Sequence, residues 1–225
     1  MGSSEREEWL KTFKICKIFE DLSVKDLKEL VGLARKVYFR RSEYIFQDGD
    51  FAKTFHVVHE GLVRVFKTSS AGKSVIFTIA TRGDTLNASG LSTGRHFVSA
   101  QTMRETVTLC IGKDDYFRFV RTHPNVALTV MRVMAQRLEW EYEKIVSMIG
   151  VQVESRIAHC LSMLATKFGP TLSITRRDLA EFAGTTTETT IRALGKLKRK
   201  GIIGCSSQRG EIVVSDLGGL HRCGH

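Results

Sequence analysis

The spacing of apolar residues changes twice along the 225-residue chain. Over residues 5–37 it is helical, with Leu22, Leu27, Leu30 and Leu33 on or near one face. Residues 38–112 instead break into short runs of strand character: YIF, FHVVHE, LVRVFK, SVIFTIA, FVSAQTM and TVTLCI. Gly49, Gly61, Gly72 and Gly83 punctuate them at intervals of 11 or 12 residues. Short strands between regularly spaced glycine turns predict an antiparallel sandwich or roll. The helical period then returns. Residues 113–121 read as a short helix, and Pro124 opens a long one running to about Met148. In it, Met131, Met134, Leu138, Glu141, Ile145 and Met148 alternate in steps of three and four, a coiled-coil seam with one acidic member. A small roll gives such a helix too little to pack on, so a parallel homodimer is expected. Gly150 marks the next boundary.

Beyond it the pattern predicts a helix over 153–167, a break at Gly169-Pro170, a short β-run LSIT and two helices separated by Gly184. The runs GIIGCSS and EIVVS, with a turn at Arg209-Gly210, read as a hairpin. Five of the six residues 185–190 are threonine, a mediocre helix former with a stiff branched side chain. Capping explains part of this. TRRD (175–178) and TTTE (185–188) both fit a capping box, placing Thr175 and Thr185 as N-caps. Leu179, Ala180 and Ala183 face inward, and Ile191, Leu194 and Leu197 continue that core. Thr186, Thr187, Glu188, Thr189 and Arg192 then point outward at the start of the second helix. Short polar side chains at a helix N-terminus suit the DNA major groove. Arg192 can donate twice to guanine and Glu188 can accept from cytosine N4. Lys196, Lys198, Arg199 and Lys200 would lie near phosphates.

Charge strengthens this reading. The formal net charge is +10. Residues 151–225 hold 11 Lys/Arg against 6 Asp/Glu, so +5 sits on that third of the chain, as expected for a partner that is a polyanion. Five scattered cysteines (16, 110, 160, 205, 223) form no CxxC pair, which fits a reducing cytoplasm and not a disulfide or four-thiolate cluster framework. No apolar run reaches the roughly 18–20 residues of a membrane span, and MGSSEREEWLKTFK lacks an apolar signal core. A membrane partner is therefore not expected. His56 and His59, three apart on a strand, point to opposite faces and so cannot share a metal. HRCGH (221–225) reads as a frayed tail. With no nucleophile–base set evident, catalysis is not expected.

The stretch DLAEFAGTTTETTIRALGKLKRKGII resembles the winged helix-turn-helix of the CRP/FNR family of bacterial transcription regulators, matching at Glu188, Thr189, Arg192, Leu194, Leu197 and Gly201. GDFAKTFHVVHEGLVRVFKTSSAGKSVIFTIATRGD resembles that family's β-roll, with its two Gly-Asp turns. The resemblance implies an α+β protein. Its parts would be an effector-sensing, cyclic-nucleotide-binding-like jelly roll (1–123), a dimerisation helix (124–150) and a winged DNA-binding domain (151–225). Promoter DNA, a second copy and RNA polymerase are the implied partners, with Thr185–Thr189, Arg192 and Lys196 as the DNA contacts. Glu188 and Arg192 would read a G·C pair.

There are departures. Thr187 stands where members similar to the cyclic-AMP receptor carry arginine, and Ile191 where members similar to the oxygen sensor carry serine. The places of the family's ribose-holding Gly-Glu and phosphate-holding Arg-Ser pairs hold Asn87-Ala88 and Val98-Ser99. The adenine-facing pair becomes Glu141-Tyr142. Without its arginine a cyclic phosphate loses a charge-assisted contact, so cyclic AMP is not the expected effector. Haem through His96, or a small organic or anionic effector near Arg95 and Arg104, takes its place. The alternatives are a haem-based gas-sensing regulator and an effector-binding subunit that leaves DNA alone.

Overall fold

A computed structural model describes residues 3–86, 88–205 and 211–224. The chain divides into two compact units, Met1–Leu138 and Glu139–His225. Helix α1 (Ser3–Lys14), a 3-10 turn (Lys17–Phe19) and α2 (Val24–Leu33) precede the strands. The strands are β1 (Arg35–Phe39), β2 (Tyr44–Phe46), β3 (Thr54–Glu60), β4 (Val63–Thr68), β5 (Ser74–Ala80) and β6 (Thr85–Leu86). After α3 (Ser89–Thr93) come β7 (Ser99–Thr102), β8 (Thr106–Gly112) and α4 (Lys113–Thr122). Two four-stranded sheets result, ordered β1-β8-β3-β6 and β2-β7-β4-β5, antiparallel throughout. This is the expected roll.

β3 is buried over five consecutive residues, not alternately, because both of its faces are covered. Phe55 and Val57 join Trp9, Phe13, Leu30, Tyr116 and Phe119 in the core beneath the helices. Val58 joins Phe46, Val65, Leu86, Val98 and Ala100 on the other face. Polar bonds fix α1 to this frame. Thr12 Oγ1 lies 2.7 Å from His59 Nδ1, and Arg82 Nε donates to the same hydroxyl at 3.2 Å. The two histidines of β3 serve separate faces, as strand geometry requires. His56 sits between Thr54 Oγ1 (2.8 Å) and Thr108 Oγ1 (3.0 Å). Burial pushes its pKa down to about 4, so the ring is neutral.

Several expectations are corrected. The helical reading of 5–37 ends at Leu33, and Arg35–Phe39 is a strand paired with β8. Ser23 and Asp26 form a full capping box that starts α2, and the backbone turns extended at Ala34. The segment β6–α3 had no counterpart in the periodicity.

α5 (Pro124–Gly150) is one continuous helix. Leu128, Met131, Met134, Leu138, Tyr142, Ile145 and Val146 are exposed large apolar residues, and Ala135 is exposed as well. Met131, Met134, Leu138 and Ile145 of the expected seam are all exposed, and Glu141 among them is half-buried.

The second unit holds α6 (Val153–Phe168), β9 (Thr171–Leu172), α7 (Arg176–Ala183), α8 (Thr187–Arg199), β10 (Ile203–Cys205), β11 (Ile212–Val214) and α9 (Leu217–Gly224). β11 pairs antiparallel with both β10 and β9, giving a three-stranded wing. The turn expected at Arg209-Gly210 lies outside the described residues. α9 replaces the frayed tail, with Leu220 fully buried and Ser162 Oγ 3.2 Å from His221 Nε2.

Gly61 closes the β3–β4 turn at φ +107, and an added Cβ would lie 2.7 Å from the Thr106 Cα. Gly49, at φ +92, has open space for one. Gly61→Ala is expected to lower unfolding free energy by about 2–4 kcal/mol, combining backbone strain with overpacking. Gly49→Ala should cost about 1 kcal/mol, from strain alone. Urea unfolding of the two variants checks this, and equal losses would contradict it.

Candidate nucleic-acid interface and sensing pocket

The interface begins with two threonine caps. Thr175 Oγ1 accepts the Asp178 amide at 3.0 Å and starts α7 as expected. α7 stops at Gly184, which is left-handed at φ 63. The Thr185 amide reaches back over that turn to the Ala180 carbonyl at 2.9 Å. Thr185 is thereby part of the stop and not the start. The N-cap of α8 is Thr186, whose Oγ1 accepts the Thr189 amide at 3.2 Å. The expected cap is corrected by one residue, and Glu188 becomes the second residue of the helix.

Inward, α8 buries Thr190, Ala193, Leu194 and Leu197. Outward, Thr186, Glu188, Arg192 and Lys196 are exposed, and Thr185, Thr187 and Thr189 are half-buried. Ile191 was expected in the core but is 54% exposed. Its Cα lies one position ahead of Arg192, on the outward side of the helix. Arg192 is steadied by a 3.4 Å bond to Thr189 Oγ1. The Glu188 backbone N–H, the Thr186 hydroxyl and the Arg192 charge hold the Glu188 carboxyl below the usual carboxylate range. A capped helix start thus presents an anion and a guanidinium one turn apart. Lys196 differs from the simple phosphate contact expected. It pairs with Glu154 at 2.7 Å, and Lys200 pairs with the same carboxylate at 3.3 Å. Glu154 lies 42 residues before Lys196, beyond the reach of a local pattern.

In the roll, three of the expected pocket residues gather at the Gly49-Asp50 turn. His96 exchanges backbone bonds with Gly49 and Asp50 at 2.7 and 2.9 Å. Ser99 Oγ accepts the Asp48 amide at 3.1 Å. Arg95 donates to the Gly49 carbonyl at 2.6 Å and stacks over Phe51 at 3.8 Å. The His96 ring is 4% exposed, lies flat on Phe46 at 3.7 Å, and has its pKa lowered by burial. Val98 turns into the apolar core at 3% exposure. Ala88 is half-buried before α3, and Asn87 lies outside the described residues. Arg104 is elsewhere, donating to the Gly61 carbonyl at 3.3 Å. Glu141 and Tyr142 belong to the second unit. There, burial lowers the pKa of Lys144, whose ammonium sits 4.8 Å from the Phe182 ring centre. One feature had no sequence signal: an open cleft of about 400 Å³ lined by Phe51, Lys53, Lys113, Asp114 and Asp115.

Cysteine chemistry has little support. Burial pushes the Cys16 thiol up to about 12 and Cys160 up to about 11, far from a ready thiolate. Among the described residues no cluster of three or more His, Cys, Asp or Glu could hold a metal, and no helix is long and apolar enough to cross a membrane.

An antiparallel β-roll and a winged helix-turn-helix on one chain define a two-part architecture of the kind found in DNA-binding regulators. Residues 36–123 match the cyclic nucleotide-binding domain, and residues 155–223 match the Crp-like helix-turn-helix domain. The chain belongs to the CRP/FNR family of DNA-binding transcription regulators. It is 29% identical over 173 residues to the cyclic AMP receptor protein of Thermus thermophilus, covering 74% of this chain and 80% of the relative. It is 28% identical over 203 residues to the nitrogen fixation regulation protein FixK of Bradyrhizobium diazoefficiens, covering 86% and 83%. In fold it is similar to FixK2 from Bradyrhizobium japonicum, with a TM-score of 0.76 at 24% identity over 85% of this chain and 98% of that one. It is also similar to a CooA variant from Carboxydothermus hydrogenoformans, at 0.71 and 17% over 94% and 95%.

The Glu154 pairing generates a test. Glu154→Gln releases Lys196 and Lys200 toward phosphates. Binding to duplex DNA of any sequence should tighten, and the log–log salt slope should steepen by about 0.9 for each lysine that engages. Fluorescence anisotropy across a salt series measures this; an unchanged slope would contradict it.

Proposed function

We propose that this regulator works as a homodimer whose two α8 helices read half-sites in successive major grooves, under control of an effector held by the roll. In this reading residues 1–123 sense, 124–150 pair the subunits and 151–225 engage promoter DNA, with RNA polymerase as the downstream partner. The observation that carries it is the outward face of α8, with Glu188 and Arg192 exposed one turn apart at a threonine-capped helix start. Thr185, Thr186, Thr187 and Thr189 keep that end slim, and Lys196 adds phosphate affinity once Glu154 yields it. The exposed α5 stripe supports pairing with a second copy, since each half-exposed apolar side chain left in water forgoes about 1 kcal/mol.

The effector is a small organic or anionic molecule and not a cyclic nucleotide. Val98, buried and apolar, occupies the phosphate-binding arginine's place and offers no charge to a cyclic phosphate. Haem through His96 is the weaker reading, because the flat stack on Phe46 must open before iron could reach the ring.

Arg192→Ala should weaken binding to a selected specific duplex by about 1–3 kcal/mol and relax preference at one base pair per half-site. Random duplex should lose much less. Competition gel shifts compare the two, and an equal loss on both would remove the base-reading role of Arg192.

A further inference from the structure

α8 sorts its side chains by chemistry with one exception. Thr190, Ala193, Leu194 and Leu197 pack inward, and the exposed positions Glu188, Arg192, Lys196 and Lys198 are charged. Ile191, at 54% exposure, breaks the rule. It stands three residues after Glu188 and directly before Arg192, so it shares the outward face with both. Thr187 lies four residues before it, placing a second methyl one turn toward the helix start.

Gly195, four residues after Ile191, points the same way. A Cβ at Gly195 would meet only the far end of the Arg199 side chain, at 3.8 Å. A glycine inside a helix costs about 1 kcal/mol relative to alanine, and nothing within the fold requires it here. A face kept low at Gly195 and apolar at Ile191 suits a surface that approaches closely and carries methyl groups. In the major groove only thymine presents one, at C5.

We infer that Ile191, flanked by the Thr187 methyl, packs against a thymine C5 methyl at the base pair beside the one read by Glu188 and Arg192. It thereby sets the preference for thymine at that position. This rests on the DNA-reading role proposed for α8. The isoleucine supplies no hydrogen bond, so discrimination at this pair comes from burying one methyl, worth about a fourfold change in binding.

The test uses full-length protein and duplexes enriched by it from a random pool, resynthesised with deoxyuridine for thymidine one position at a time. The single change removes the C5 methyl and leaves the base pairing intact. Wild-type binding is expected to weaken about fourfold at one thymine per half-site, and about sixteenfold when both are replaced. Ile191→Ala, a change at an exposed position, is expected to bind the thymine and uracil duplexes equally. A uracil scan without effect beside the Arg192-dependent pair overturns the methyl contact alone. An equally large uracil effect retained in Ile191→Ala also overturns it. A pool that yields no preferred sequence, or a site indifferent to Arg192→Ala, overturns the reading role of α8 and the methyl contact with it.

Discussion

The hydrogen bond from the Thr189 amide to Thr186 Oγ1, 3.2 Å long, fixes where α8 begins. The packing of Thr190, Ala193, Leu194 and Leu197 fixes how that helix is turned about its axis. Together they decide which residues face outward. Starting the helix one residue earlier, at the Thr185 cap, would make Glu188 its third residue. The observed start at Thr187 makes it the second, closer to the positive end of the helix dipole, where an anion is favoured. Gly184 makes this possible by turning left-handed, so that the Thr185 amide closes α7 and is not left to open α8. The abundance of threonine at 185–190 thus has several causes: a stop, a cap, a buried core residue and a narrow helix end.

A single reader of this kind covers only a few base pairs, and sequence recognition gains from a second at fixed spacing. The α5 stripe is the feature that would supply it. Its exposed apolar residues Leu128, Met131, Met134, Leu138, Tyr142 and Ile145 recur at spacings of three and four, the spacing that the proposed two-stranded coiled coil requires. In the roll, polar groups are spent on the fold itself. Arg95, His96 and Ser99 all bond to the 48–50 turn, and the apolar Val98 completes a core. That arrangement supports the proposal of an effector other than a cyclic nucleotide.

Much of this was legible in the sequence where the signal is local. Glycine turns at 49, 61, 72 and 83, all left-handed in the structure, marked the roll, and the apolar period marked α5. The capping pattern found Thr175 outright and missed α8 by one residue, because it requires an acid three positions on and so selects Thr185 with Glu188, whereas the actual cap, Thr186, has Thr189 at that place. Arg35–Phe39 was hidden because five residues following a helix are too few to show a change of period. Ile191 looked like core because helical spacing alone places 191, 194 and 197 on neighbouring rows; the actual row is 190, 193, 194 and 197. The pairing of Lys196 and Lys200 with Glu154 was not legible at all, since it depends on how α6 crosses α8. α9 was masked by Gly218 and Gly219, which weaken any helical signal, although Leu220 anchors it.

The most direct measurement is methylation interference on a selected duplex, in which guanine N7 is methylated before binding. A methyl at N7 blocks one of the two bonds that Arg192 would make to the base. The account predicts interference at one guanine in each of two symmetric half-sites, centred about one helical turn apart, and loss of that pattern with Arg192→Ala. Binding insensitive to guanine methylation, or interference at a single unpaired position, would contradict it.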